Sequence, residues 1–386
     1  MKRAFVKAHR WLGLFVGLYI VLLAASGIGM VFSTSLYAWE LGEQAVAVPM
    51  QNQPYAPPHI WLEKAQARYG PLPGFEGYFG PRATPMRISA PTLIYEPAGR
   101  DHVHGVITIN PYTGEPLARF IAEDTWSMLP LKLHMSLFLP ETIWPWVLIA
   151  LSLILVLFGL SGLYIWWPGR ARWRVAAHIV RPNSPLNLRR LHGAIGFWTS
   201  PLIILAGITG LMLTRFDVAE AMTAPLGASA EYDPVANPPG HCAAPRTLAE
   251  SSVTAGNALA LARQRFPTHE LASIYVPSAE AQVFTIWLRP AASTVPARGD
   301  SEVVVDARCG TVLFARGENE MRSGDAVLTY LIELHNGRLL GLPGEAIIVL
   351  QGLAITLLPL AGISLWLWRT RRRRKAAAGT VLPATG

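Results

Sequence analysis

The sequence predicts an α-helical membrane protein, with four transmembrane helices from two tandem repeats and a small α+β domain outside the membrane in each repeat. Three observations predict it. The 386 residues are 51% hydrophobic and only 15% charged, too apolar for an ordinary soluble enzyme. Four stretches supply the roughly 20 apolar residues that cross a bilayer. One apolar segment also occurs twice, once as HRWLGLFVGLYIVLLAASGIGMVF from His9 and once as HGAIGFWTSPLIILAGITGLMLTRF from His192. In both copies a histidine starts the run, a glycine follows four residues later (Gly13, Gly196), and a Ser/Thr-Gly pair closes it at the same distance.

The spans run over 11–32, 143–167, 195–213 and 342–368; none contains Asp, Lys, Arg or an internal His, and the one Glu among them is Glu345, near the start of the last. Trp144, Trp146, Trp166, Trp167, Trp366 and Trp368 gather at their ends, where an interfacial aromatic belt belongs. Lys2, Arg3, Lys7 and Arg10 precede the first span. Six arginines lie in the loop 168–194, and five arginines with Lys375 lie in the tail 369–386. These three segments contain no acidic residue, whereas the rest of the chain is net acidic. The positive-inside rule therefore places both termini and the middle loop in the cytoplasm, and the two long segments outside. The basic net charge thus marks a membrane face, and the expected partner is the lipid bilayer, with no nucleic acid. A cleaved signal peptide is the rival reading of the first span. Its apolar run is too long for a signal core, and its internal twin at His192 cannot be a signal.

The external segment 34–135 has a Pro-rich lead, a helix over Pro58–Gly70, a Gly/Pro-rich patch and strand-like runs MRISA, LIYEP, HGVITI and PLARF. The segment 214–341 repeats this scheme with a helix ending in ALALARQRFP and the runs LASIYV, VFTIWLR, SEVVVD and VLFAR. The turns NPYTGE and DARCGT place Asn110 and Asp306 four residues ahead of Gly114 and Gly310, which is turn chemistry. Gly74, Gly77 and Gly80 fall in a Pro/Gly loop without the strand–GxGxxG–helix context of a nucleotide site. The two cysteines, Cys242 and Cys309, share the second external segment, where an oxidising compartment favours a disulfide over two buried thiols.

Four of the ten histidines sit at matched membrane boundaries: His9 and His192 inside, and His134 (LKLHMSLFLP) and His335 (IELHNGRLLGLP) outside. Two spans per repeat give both copies one topology, hence a pseudo-two-fold axis along the membrane normal. Such an axis lets His9 face His192 and His134 face His335. Two axial imidazoles on one iron make a bis-histidine haem, a closed site suited to electron transfer. Gly13, Gly17, Gly196 and Ser200 share the helix faces of His9 and His192 and leave room for a flat macrocycle, although small residues also serve plain helix packing. No such face accompanies the external pair. Interfacial polar histidines are the bland alternative, and unpaired His178 is a substitute ligand. His102 and His104 in HVHG could share a strand face and bind a metal, but a solvated hairpin explains them as well.

The segments KAHRWLGLFVGLY and RRLHGAIGFW, the duplicated external turns and the last span resemble the PepSY-associated membrane family over nearly the whole chain. Within it, the layout is similar to bacterial inner-membrane ferrisiderophore reductases. That resemblance implies PepSY-like periplasmic domains and two b-type haems, with His9, His192, His134 and His335 as ligands. It implies electron transfer to a ferric siderophore in the periplasm and release of ferrous iron. The loop 168–194 is too short for a flavin domain, so the electrons are expected from a separate quinol or flavin reductase. Nearly uncharged spans disfavour an ion-coupled permease. The alternative function is a non-redox regulator whose external domains engage a peptide or protease.

Overall fold

The structure is a computed structural model and describes residues 2–49, 51, 53–81, 88–100, 103–227, 253–278, 281–290 and 301–379. In chain order the elements are α1 (Lys2–Val31), α2 (Ser33–Leu41), α3 (Glu43–Val46), α4 (Pro58–Tyr69), β1 (Phe75–Phe79), β2 (Thr92–Tyr95), β3 (Gly105–Ile109), β4 (Pro116–Ile121), α5 (Leu129–Ser136), α6 (Trp144–Trp166), α7 (Trp173–Ala176) and α8 (Pro185–Thr214). There follow α9 (Phe216–Thr223), α10 (Ala255–Arg265), β5 (His269–Tyr275), β6 (Val283–Pro290), β7 (Ser301–Asp306), β8 (Val312–Arg316), α11 (Ser323–His335) and α12 (Gly341–Gly379). They divide into a helical unit (Met1–Val31, Pro130–Val218, Leu334–Gly386) and a sheet unit (Phe32–Leu129, Ala219–Glu333).

The helical unit contains the four helices long and apolar enough to cross a membrane, at each of the four stretches expected. Two of them start earlier than hydropathy suggests. α8 begins at Pro185 rather than at 195, because Pro185 occupies the first helical position and the Ser184 hydroxyl accepts the Asn187 N–H at 3.2 Å. His192 and His9 are therefore set within helices and not at their mouths. At the other end α12 runs on through Arg369 to Gly379, so much of the expected tail is helix.

α1 packs mainly on α12, and α6 mainly on α8. Each helix contributes one residue to a buried layer: Ile20, Leu151, Ile203 and Ile355. Small residues bring the backbones together, since lipid tails supply no hydrophobic drive between helices. Gly159 admits Ile204 and the Ser200 carbonyl, Gly207 admits Val156 and the Ser152 carbonyl, and Gly352 admits Ile28 and the Ala24 carbonyl. The one amide on these faces, Gln351, donates to the Leu202 carbonyl at 2.9 Å, an interhelical bond that satisfies it.

The sheet unit departs from expectation in one important respect. Its halves are a single eight-stranded antiparallel sheet in the order β4-β3-β2-β1-β5-β6-β7-β8. The junction is β1 on β5, with Gly77, Tyr78 and Phe79 opposite Tyr275, Ile274 and Ser273. The Gly/Pro-rich patch read as loop is thus partly a strand. A Cβ on Gly77 would strike the Ile274 carbonyl, and one on Gly80 the Leu271 carbonyl, so both glycines permit a close backbone approach. The described part of MRISA, from Ile88, is not a strand.

α4 and α10 bury Trp61, Ala65, Ala258, Leu259 and Ala262 in one core with Leu93, Ile107, Ile274, Ile286 and Val303 from both halves of the sheet. The outer hairpins close identically. Asn110 Oδ1 accepts the Tyr112 N–H and Asp306 Oδ1 accepts the Arg308 N–H, at 3.0 and 2.8 Å. Gly114 and Gly310 then take φ of 76° and 74°, a left-handed conformation that glycine adopts without strain.

A side chain at the junction should split this core. Gly77→Val is expected to lower the thermal midpoint and to speed amide exchange in β5, whereas an unchanged exchange pattern would show that the halves do not depend on the β1–β5 seam.

Candidate functional site

The four boundary histidines meet in two pairs within the helical unit. The His9 (α1) and His192 (α8) rings lie 6.5 Å apart between centroids, and the His134 (α5) and His335 (α11) rings 6.2 Å apart. α1 relates the two tiers. His9 belongs to the first, and Leu23, Ser26 and Gly27 surround His134 in the second, roughly 21 to 27 Å further along at 1.5 Å per residue.

The second tier has its proton positions decided by its neighbours. His134 Nδ1 lies 2.9 Å from the Leu23 carbonyl, which can only accept, so this nitrogen carries the proton. Ser26 Oγ, at 3.2 Å from the same nitrogen, donates its own hydrogen to the Leu23 carbonyl. Thr209 works in the same way, donating to the Leu205 carbonyl at 2.8 Å and accepting from His335 Nδ1 at 2.8 Å. His134 is therefore the Nδ1–H tautomer with an Nε2 lone pair free to coordinate, and His335 matches it when the Thr209 hydroxyl donates to the Leu205 carbonyl. Burial pushes both toward the neutral form: His335 is lowered to about 4 by burial and then by the adjacent His134, and His134 is lowered by burial against the Leu23 bond. Metal-ligating histidines characteristically have this arrangement, with the far N–H held by a carbonyl or hydroxyl.

Ser26-Gly27 and Thr209-Gly210 are the pairs that close the duplicated segment, and here they acquire a role. A Cβ on Gly27 would lie 3.1 Å from His134 Cε1, and one on Gly210 3.6 Å from His335 Cε1. The external pair thus does have a small-residue face, supplied by the far ends of α1 and α8, the helices that carry His9 and His192. Sequence reasoning recorded the repeat but missed its partner, because the contact joins elements more than a hundred residues apart.

The first tier is less symmetric. His9 Nδ1 shares a hydrogen bond with Ser161 Oγ at 2.9 Å, and its ring meets Phe158 edge-on at 5.0 Å. His192 Nδ1 is buried without a hydrogen-bond partner, and the polar group beside its ring is the Leu358 carbonyl. The reason is legible in α12: aligning SGLYIWW with AGISLWLW sets Leu358 at the place of Phe158 and Ala361 at the place of Ser161. A hydroxyl is missing on one side. Of the small residues expected to flank this tier, Gly13 and Gly196 lie against Phe158 and Leu358, which a Cβ on either glycine would meet in ordinary contact at 3.8 and 3.9 Å. Gly17 and Ser200 instead serve helix packing. A Cβ on Gly17 would lie 3.2 Å from Pro359, and the Ser200 carbonyl sits over Gly159.

The remaining expectations separate from this site. His178 is exposed in the loop before α8, away from both pairs. His104 bonds Glu123 at 2.8 Å, and its neighbour His102 lies outside the described residues. His269 joins Ser301 and Glu318 in a hydrogen-bonded cluster, with Ser301 fully buried. Cys309 is disulfide-bonded, and Cys242 lies outside the described residues. Among the described residues no group of three or more His, Cys, Asp or Glu could hold a metal ion directly.

The model of the family described as PepSY-associated TM region matches residues 6–369. The chain belongs to the PepSY-associated transmembrane family. No curated protein matches it. Both histidine tiers and two of the four candidate membrane helices of this PepSY-associated chain fall wholly inside the matched region, which also covers most of the first and the last.

The two hydroxyls of the second tier should differ in weight. Thr209→Ala removes the acceptor of the buried His335 N–H and is expected to cost about 1–3 kcal/mol, whereas Ser26→Ala leaves His134 its Leu23 carbonyl and should cost less. Thermal melts of the purified variants check the order, and equal losses would contradict the assigned tautomers.

Proposed function

We propose that the two histidine pairs each hold a b-type haem, and that the protein carries electrons across the bacterial inner membrane to a ferric siderophore in the periplasm. The observation that supports this most is the facing pairs themselves, at 6.5 and 6.2 Å between ring centroids. At that separation His9 with His192, and His134 with His335, could each hold one iron between them. A pair of protein nitrogens without a third ligand suits an ion that brings its own equatorial donors, as a tetrapyrrole iron does. Bis-histidine haem iron supplies a one-electron couple without an open position for oxygen.

The chain's residues supply the rest. Leu23 and Thr209 orient the second-tier rings, Ser161 orients His9, and Gly13 and Gly196 keep the helix faces beside the first tier small, against Phe158 and Leu358. Three of the spans carry no charged residue and the fourth carries only Glu345 near its start, which leaves little for ion-coupled chemistry. In the orientation expected from the basic loops, His9 and His192 lie toward the cytoplasm and would hold the haem that a quinol or a soluble flavin reductase supplies with electrons. His134 and His335 lie toward the periplasm, where the ferric chelate takes up an electron and releases ferrous iron, which hard-oxygen chelators hold weakly.

Protein purified from haem-replete cells is expected to be red, with two b haems per chain and a low-spin spectrum. His9→Ala and His192→Ala should each remove the same haem, and His134→Ala and His335→Ala the other. A colourless, folded preparation would overturn the proposal. The asymmetry of the first tier makes a finer test. Ala361→Ser offers His192 an acceptor, makes the ring a stronger donor to iron, and should lower the midpoint potential of one haem alone. Equal movement of both midpoints would be the contrary result.

A further inference from the structure

The basic end of the helical unit carries charge of one sign only. The segment before the first span, the loop 168–194 and the tail beyond 368 contain no Asp or Glu. At each of these three boundaries an arginine stacks on a nearby indole: Arg10 over Trp11 at 5.5 Å, Arg174 over Trp173 at 5.6 Å and Arg372 over Trp368 at 5.1 Å. An indole face holds a guanidinium by cation–π attraction and leaves its N–H edge free, and indoles settle at headgroup depth. At this end a cavity of about 730 Å³ opens between the start of α1, the end of α6 and α8. Leu163, Tyr164 and Trp167 form one wall, Phe197, Trp198 and Pro201 another, and Lys2 contributes the cation. Phe5 meets Tyr164 with ring centroids 5.0 Å apart and holds the start of α1 against α6. Trp173, 6.3 Å from Phe197, brings Arg174 toward the α8 wall.

The walls are largely apolar, and the polar groups along α8 are already engaged. Ser200 Oγ donates to the Phe197 carbonyl at 2.9 Å, and the Trp198 indole to the Ala177 carbonyl at 3.0 Å. Among the described residues the exposed Lys2 ammonium has no ion pair, and the Tyr164 hydroxyl and Trp167 indole have no hydrogen bond. Lys2 and Trp167 can only donate, and Tyr164 can donate as well. An apolar cavity at the side of a membrane bundle, with donors and a cation at its headgroup end, suits a phospholipid. Charge selects the headgroup. A zwitterionic lipid brings its own ammonium, and neither the cavity wall nor the three basic segments offer a carboxylate to receive it. We propose that this cavity binds one anionic phospholipid of the phosphatidylglycerol type, its phosphate on Lys2 in the field of Arg174 and its chains on Leu163, Phe197 and Pro201. The site rests on the membrane-spanning bundle alone and does not require the haems.

Native mass spectrometry of the full-length protein in detergent tests it, by titration with phosphatidylglycerol or with phosphatidylethanolamine of the same chains. One phosphatidylglycerol per chain is expected to bind about tenfold more tightly than phosphatidylethanolamine. Lys2→Gln combined with Arg174→Gln, both at exposed positions, should weaken that first phosphatidylglycerol about tenfold or more, the scale of one charged hydrogen bond, and leave phosphatidylethanolamine unchanged. Lys2→Arg should retain it. Arg371→Gln combined with Arg374→Gln removes the same charge from the tail and should leave the first lipid in place. Glycerol 1-phosphate, a headgroup without chains, should not displace it. Equal affinity for the two lipids would reduce the cavity to unselective apolar contact and overturn the assignment. An equal loss from the tail substitutions, which would mean diffuse charge, or displacement by glycerol 1-phosphate, which would mean a free phosphate site, would overturn it as well. A colourless preparation that keeps the lipid selectivity would count against the haem proposal alone.

Discussion

A buried imidazole N–H must find an acceptor, and inside a largely apolar helical bundle only backbone carbonyls and small hydroxyls are on offer. Much of the helical unit follows from that constraint. A helix carbonyl is already engaged by its own N–H four residues on, so a second donor reaches it only where side chains are small enough to let the ring in. Ser26-Gly27 against His134 and Thr209-Gly210 against His335 meet both requirements, the hydroxyl or carbonyl receiving the proton and the glycine admitting the ring. Once Nδ1 is engaged, Nε2 is left as a lone pair, and the two rings of a tier become a matched pair of ligands.

The first tier shows the same constraint half met. Ser161 serves His9, while Ala361 leaves the corresponding nitrogen of His192 buried and unpaired. Two sites built on one plan thereby acquire different surroundings. If each pair holds a metal ion as proposed, such a difference distinguishes the two sites, because the hydrogen bond on the far nitrogen governs how strongly the near one donates. The bundle centre contains the apolar layer Ile20, Leu151, Ile203 and Ile355, and the Gln351 amide near it is bonded to the Leu202 carbonyl.

The sheet unit solves a different problem. Four-stranded halves each expose an edge, and exposed edges invite pairing with other chains. Joining β1 to β5 removes two of those edges and merges both hydrophobic faces into one core under α4 and α10. The cost is a pair of glycines in the seam, Gly77 and Gly80, whose spacing resembles a loop when read along the chain alone. The same junction brings α4 beside α10, a contact that neither half possesses.

Much of the architecture is local and was legible in the chain. Apolar length located all four membrane helices, alternation and turn residues located the described strands other than β1, and Asn110 and Asp306 marked their hairpins through contacts only two to four residues long. Repetition also singled out His9, His134, His192 and His335. Other features were decided only by tertiary structure. The fusion of the two sheets, the reassignment of Gly17 and Ser200 to helix packing, and the service of Ser26 and Thr209 to rings far along the chain all depend on which surfaces meet. Periodicity reports which face of an element is apolar, but it does not identify the face lying opposite. For a buried N–H, the residue on that opposite face determines the tautomer, and with it the nitrogen that remains free to bind a metal.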